Sequence, residues 1–135
     1  MSVRIEIEGH LGQVAAYKVL TDTRKAEFTV CSSKRRRLAD GSWKADKSLW
    51  LRVVAWNELA DATRGLKAGA PVIVSGELLD DSFTPEGMAK PVFRVLLRAS
   101  SVALNIARVH EYSFITHKEA EQQTPFKHSD LINAA

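Results

Sequence analysis

Cysteine is all but missing from this chain. Cys31 stands alone, so no internal disulfide can form, and a single thiol between Val30 and Ser32 is expected to be an inert strand residue. Long apolar runs are missing too. Pro71-Val-Ile-Val74 falls far short of a bilayer span, and the amino terminus alternates apolar with charged residues instead of building a signal core. A cytoplasmic protein with no membrane partner is therefore expected. Catalytic groupings are equally scarce. His10, His110, His117 and His128 show no metal-ligand spacing, Asp80-Asp81 is the only adjacent acidic pair, and Gly65 and Gly69 do no more than bracket a helix end. These gaps speak against an enzyme, a metal site and a bound cofactor.

What is present fits one globular domain. A chain of 135 residues, 45% hydrophobic and 26% charged, is long enough to bury a core and too apolar for wholesale disorder. Net charge is only +3, yet it is unevenly spread. Residues 24–52 hold nine basic residues against Glu27, Asp40 and Asp46, a surplus of +6, which leaves the rest of the chain at −3. Such concentration suggests a local site for a polyanion, although a charge run also serves as a solvated face.

Strand patterns dominate. Val3, Ile5 and Ile7 alternate with Arg4, Glu6 and Glu8, and Gly9 and Gly12 then suggest a bend in a strand that continues. Further strands are predicted at 26–32, 49–56, 72–79 and 92–104. The Arg-rich segment and Ala39-Asp-Gly-Ser42 read as a long hairpin loop between the second and third strands. One helix is predicted after the third strand, capped by Asn57, with Leu59, Ala62 and Leu66 at helical spacing and Gly69 as its stop. Three strands, a helix and two strands make an all-β chain with one helix, the order of a five-stranded OB-fold barrel. The barrel is expected over 1–107. From 108 to 135 the chain turns polar, a tail with few core candidates.

On the third strand, alternation puts Leu51, Val53 and Ala55 on one face and Trp50, Arg52, Val54 and Trp56 on the other. The first set suits a barrel interior, so the second faces outward. Flat aromatics accept any base on their π faces and an interleaved Arg meets phosphates, which is what sequence-tolerant single-strand binding needs. Packing of the same Trp residues beneath the helix, or at a subunit contact, satisfies the pattern equally well. Lys34, Arg35, Arg36 and Arg37 sit at the end of the second strand, in a loop expected to project beside that face. Trp43, further round the loop, either clamps a base or tucks against the barrel, and Phe83 in the next long loop presents the same choice.

Ile5-Glu-Ile-Glu-Gly-His-Leu-Gly-Gln13, Trp50-Leu-Arg-Val-Val-Ala-Trp-Asn-Glu-Leu-Ala60 and Lys67-Ala-Gly-Ala-Pro-Val-Ile-Val-Ser-Gly-Glu-Leu78, followed by 93–105, together resemble the bacterial single-stranded DNA-binding protein family. The resemblance spans roughly residues 3 to 106. It implies a protein that coats single-stranded DNA in replication, recombination or repair. Its stacking aromatics fall on Trp50, Trp56 and Phe83, and a further one falls on Arg36, whose guanidinium plane also stacks. The resemblance also implies a homotetramer, or at least a dimer, through pairing of the first strand, which would otherwise be an open edge. Two departures stand out. Gln13-Val14 replaces the family's usual Asp-Pro turn. The last residues, Ser129-Asp-Leu-Ile-Asn-Ala-Ala135, lack the acidic, Phe-terminated tip that recruits other replication proteins, which puts that role in doubt and points to a specialised or mobile-element-borne relative. The alternatives are a dimeric primosomal OB protein of replication restart, and an OB module that docks a protein partner through its Trp face.

Overall fold

The computed structural model describes residues 2–115. Five long strands close a barrel. They are β1 (Val3–Leu11), β3 (Arg24–Ser32), β6 (Leu49–Trp56), β7 (Pro71–Asp80) and β8 (Val95–Leu104). Around the barrel β1 pairs with β7, β7 with β8, β8 with β6, β6 with β3, and β3 returns to β1 at His10 and Leu11. Only the β6–β8 contact is parallel, matching Val53 to Leu97 and Val54 to Arg98. A short β2 (Ala16–Val19) follows the bend after β1 and adds to the free edge of β3. This is the five-stranded OB arrangement that the strand pattern predicts.

Alternation decides which side chains are buried. Ala26, Phe28 and Val30 of β3, Leu51, Val53 and Ala55 of β6, and Val72 and Val74 of β7 all point inward and form one apolar core with Leu97. Val92, predicted to open the last strand, instead forms an isolated bridge with Phe83, and β8 begins at Val95.

The helix is shorter than its sequence pattern suggests. α1 covers Glu58–Thr63, with Ala60 and Thr63 buried, whereas Ala62 is exposed and Leu66 lies beyond the last turn. Asn57 is not a side-chain cap. It adopts a left-handed φ of 54°, and its side-chain oxygen accepts from the Arg24 backbone N–H while its own N–H donates to the Arg24 carbonyl. Tertiary pairing to β3 therefore replaces local capping. Asp61 ties α1 to the barrel, accepting from Tyr17 Oη at 2.7 Å and Arg24 Nε at 2.9 Å. Partial burial pushes the Asp61 carboxyl up, but those two donors outweigh it and hold the group below the usual carboxylate range.

The segment between β3 and β6 is not a loop. Arg35–Arg37 (β4) and Trp43–Ala45 (β5) pair as a two-stranded ribbon outside the barrel, with every residue from 33 to 50 exposed. Its turn covers residues 38–42, where the Leu38 N–H donates to the Ser42 carbonyl and Gly41 takes φ 88°, a conformation that glycine adopts freely. Asp40 closes that turn by accepting from the Ser42 N–H and hydroxyl. Beyond β8, a single 3-10 turn at Ile106–Arg108 follows, and the expected polar tail lies outside the described residues from 116 onward.

Candidate nucleic-acid interface

The outer surface of β3 and β6 presents a grid whose rows are fixed by register. Trp50 lies opposite Cys31, Arg52 opposite Thr29, Val54 opposite Glu27 and Trp56 opposite Lys25. Both indoles are open to solvent, Trp50 at 61% and Trp56 at 37% exposure. They pack neither beneath α1 nor inside the barrel. Val54 departs from the expected open face, since it is only 2% exposed and is flanked in register by Glu27 and Arg98. Cys31 is half-buried on this same outer face, beside Trp50.

Gly12 explains where Trp50 rests. A Cβ at this position would come within 2.7 Å of the Trp50 ring and 2.6 Å of Thr29 Oγ1. The bend predicted at Gly12 is thus also a seat for an indole.

Charge on the barrel face is tightly paired. Arg52 Nη1 lies 2.8 Å from Asp81, and Nη2 lies 3.5 Å from Glu27. Glu27 also takes Lys25 at 2.7 Å, while the Lys25 ammonium sits 5.6 Å from the centre of the Trp56 ring. The hydrogen bond from Lys25 holds the Glu27 carboxyl below its usual value, and that from Arg52 does the same for Asp81. Arg52, expected to be a free cation between two aromatics, is an ion-paired one. Phe83 is 44% exposed, and its ring is covered on one side by the Arg94 guanidinium at 4.6 Å.

The ribbon is organised differently. Arg37 lies opposite Trp43, Arg36 opposite Lys44 and Arg35 opposite Ala45. Cross-strand partners share a face, so Arg35, Arg37 and Trp43 line one side and Arg36 and Lys44 the other. The four neighbouring cations of the sequence are thus divided between two surfaces. Trp43 is 63% exposed and does not tuck against the barrel. Among the described residues, none of Lys34, Arg35, Arg36, Arg37 and Lys44 has an acidic partner within ion-pair distance.

Lys25, Arg94 and Asp81 were not among the residues expected at this surface. Period-2 alternation from Phe28 back to Lys25 would have placed Lys25 on the outer face. Arg94 and Asp81 carry no such signal, because a 12-residue loop separates them. No cluster of residues suited to a metal ion occurs among the described residues, and no helix there is long and apolar enough to cross a membrane.

The single-strand binding protein family model matches residues 3–104. Among solved structures, the chain is similar to the small single-stranded DNA-binding protein of Streptomyces coelicolor, at 21% identity and a TM-score of 0.70, over 81% of this chain and 99% of that one. It is also similar to the second single-stranded DNA-binding protein of Mycobacterium smegmatis, at 23% identity and a TM-score of 0.63, over 84% of this chain and 99% of that one. At those identities the likeness is one of fold. No curated protein matches the chain.

Proposed function

The chain belongs to the single-strand binding protein family, and from that premise we propose that it coats single-stranded DNA without sequence preference during replication, recombination or repair. It acts as a binding protein rather than an enzyme, in the cytoplasm, and needs no cofactor. One observation carries the mode of binding: Trp50 and Trp56 stand solvent-open on one barrel face, Trp50 in a seat that only a glycine at position 12 leaves free. Bases stack on Trp50, Trp56 and Phe83, while Arg35, Arg36, Arg37 and Lys34 neutralise phosphates and Trp43 offers a further platform. Arg52, held by Asp81 and Glu27, orders the face more than it meets phosphate. The binding unit is residues 1–107.

Assembly follows from the edge of β1. Over Val3–Gly9 that strand pairs with β7 on one side only, because β3 joins it solely at His10 and Leu11. An open edge of this length supports pairing with a second copy about a twofold, giving a dimer or a homotetramer.

Titration with an unstructured oligonucleotide tests the reading. Trp emission should fall on binding, equally for poly-pyrimidine and mixed sequences. A chain whose emission ignores oligonucleotide would instead be an OB module that docks a protein. Light scattering on the same samples separates the tetramer from the dimer of a replication-restart protein.

A further inference from the structure

Resting on the reading of Phe83 as a stacking residue, we propose that Asp81 and Arg94 are positioning residues for it, and that Asp81 strengthens single-strand binding although its charge repels the ligand. Backbone bonds fix only the root of this loop. Phe83 and Val92 exchange N–H···O bonds at 3.2 and 2.7 Å, and the Asp81 N–H donates to the Arg94 carbonyl at 2.9 Å. None of these bonds sets the torsions of the Phe83 side chain. The Arg94 guanidinium does, by sitting over one face of the ring with its Cζ 4.6 Å from the centroid, which leaves the other face to a base.

Arg94 in turn is held by Asp81. One oxygen, Oδ2, takes Arg94 Nη2 and Arg52 Nη1, each at 2.8 Å. The Arg94 Nε is buried and has no hydrogen-bond partner among the described residues. Ring contact and the Asp81 pair are therefore what keep the side chain in place. Through Arg52, the same carboxylate connects this loop to β6 and, by way of Glu27, to the Lys25 that covers Trp56. The cluster of Lys25, Arg52 and Arg94 against Glu27 and Asp81 stays net positive by one, so the carboxylates order the face without reversing its sign.

Charge alone predicts the opposite result for Asp81→Asn. Removing an anion and freeing two arginines should tighten binding and steepen its salt dependence, by roughly 0.7 in slope for each new phosphate contact. If Asp81 positions the platform, Asp81→Asn weakens oligonucleotide binding about 3- to 10-fold, part of the roughly 5- to 150-fold expected for Phe83→Ala, the worth of one stacked base. The double variant should bind within about twofold of Phe83→Ala, because the second change removes what the first had disordered. Asp81→Glu should restore much of the loss, and Arg94→Lys, which keeps the charge but not the plane, should reproduce it. A readout without DNA runs alongside: the Arg94 side-chain protons, shifted upfield by the Phe83 ring, should return toward ordinary positions in Asp81→Asn. The proposal is overturned if Asp81→Asn binds as tightly as the unaltered chain or tighter, if the two losses multiply, or if the ring-current shift survives. It also fails if Phe83→Ala binds normally while oligonucleotide still quenches Trp emission, an outcome that leaves the wider function standing. An unaltered chain that ignores oligonucleotide would instead defeat the function itself.

Discussion

The β3–β6 face and the β4–β5 ribbon carry the same residue types in opposite states. On the barrel, Arg52 and Lys25 are bound to Asp81 and Glu27, Trp50 rests in the seat at Gly12, and Lys25 lies over Trp56. On the ribbon, Arg35, Arg36 and Arg37 have no acidic partner among the described residues and Trp43 stands in solvent. Identical chemistry thus divides by neighbour. Paired cations fix geometry, whereas unpaired ones supply field. The face should therefore set the salt-independent part of the affinity and the ribbon its dependence on salt.

The largest effect should come from the face. Trp50→Ala and Trp56→Ala are each expected to cost roughly 1–3 kcal/mol of binding, the worth of a stacked base, with the salt slope unchanged. Fluorescence anisotropy at several salt concentrations reads both quantities. Two folded variants with normal affinity would move the stacking surface elsewhere. Next in size, replacing Arg35, Arg36 and Arg37 together with Ala should flatten the slope of log affinity against log salt by about 1 to 2 units, at roughly 0.7 per phosphate contact. Since ribbon geometry splits these side chains between two faces, the full sum is not expected. An unchanged slope would reduce the ribbon to a solvated arm. Within the triplet, Arg36→Trp should retain affinity that Arg36→Ala loses, if the guanidinium plane stacks.

A smaller change sharpens the role of the seat. Gly12→Ala puts a methyl group 2.7 Å from the Trp50 ring, so the indole must shift. Affinity should fall several-fold, short of the roughly 1–3 kcal/mol of full truncation, with the salt slope preserved. The melting temperature should change little, since the site is on the surface. A binding isotherm matching the unaltered chain would mean that Trp50 stacks equally well from another rotamer.

The smallest effect is expected from mild acid. Glu27 and Asp81 are held below their usual values by Lys25 and Arg52 respectively. A lowered value in the folded state means that the ion pairs contribute fully above the unfolded value and are lost only as pH falls through the folded one. Affinity and salt slope measured between about pH 8 and pH 5 should therefore stay level, as both carboxyls are held below the ordinary carboxylate range and stay charged throughout. A face that loosens by pH 5 would show that the latches are weaker than their geometry suggests.

The barrel was legible because burial imposes period 2 on β1, β3, β6 and β7, and Leu51, Val53 and Ala55 carry that period without interruption. The open Trp pair was legible for the same reason. The ribbon was not, since Arg35-Arg36-Arg37 has no apolar alternation and its pairing depends on a tight turn at Gly41. Asn57 misled because its residue type suits a helix cap, while its backbone is claimed by Arg24. The Gly12–Trp50 fit and the Asp81–Arg94 pair belong to register and loop closure, which no local window contains.

The ribbon also bears on how this protein tolerates its own concentration. Two short strands outside a barrel leave two outward edges of unpaired amides and carbonyls, a template for any similar strand nearby. Here each strand brings cations to that edge, so a second ribbon approaching it meets like charge before it can zip. The residues proposed to attract a polyanion therefore also act as gatekeepers of solubility. Replacing Arg35, Arg36 and Arg37 with Ala would cost colloidal stability as well as the proposed phosphate contacts, and that variant should precipitate at concentrations that the parent chain withstands.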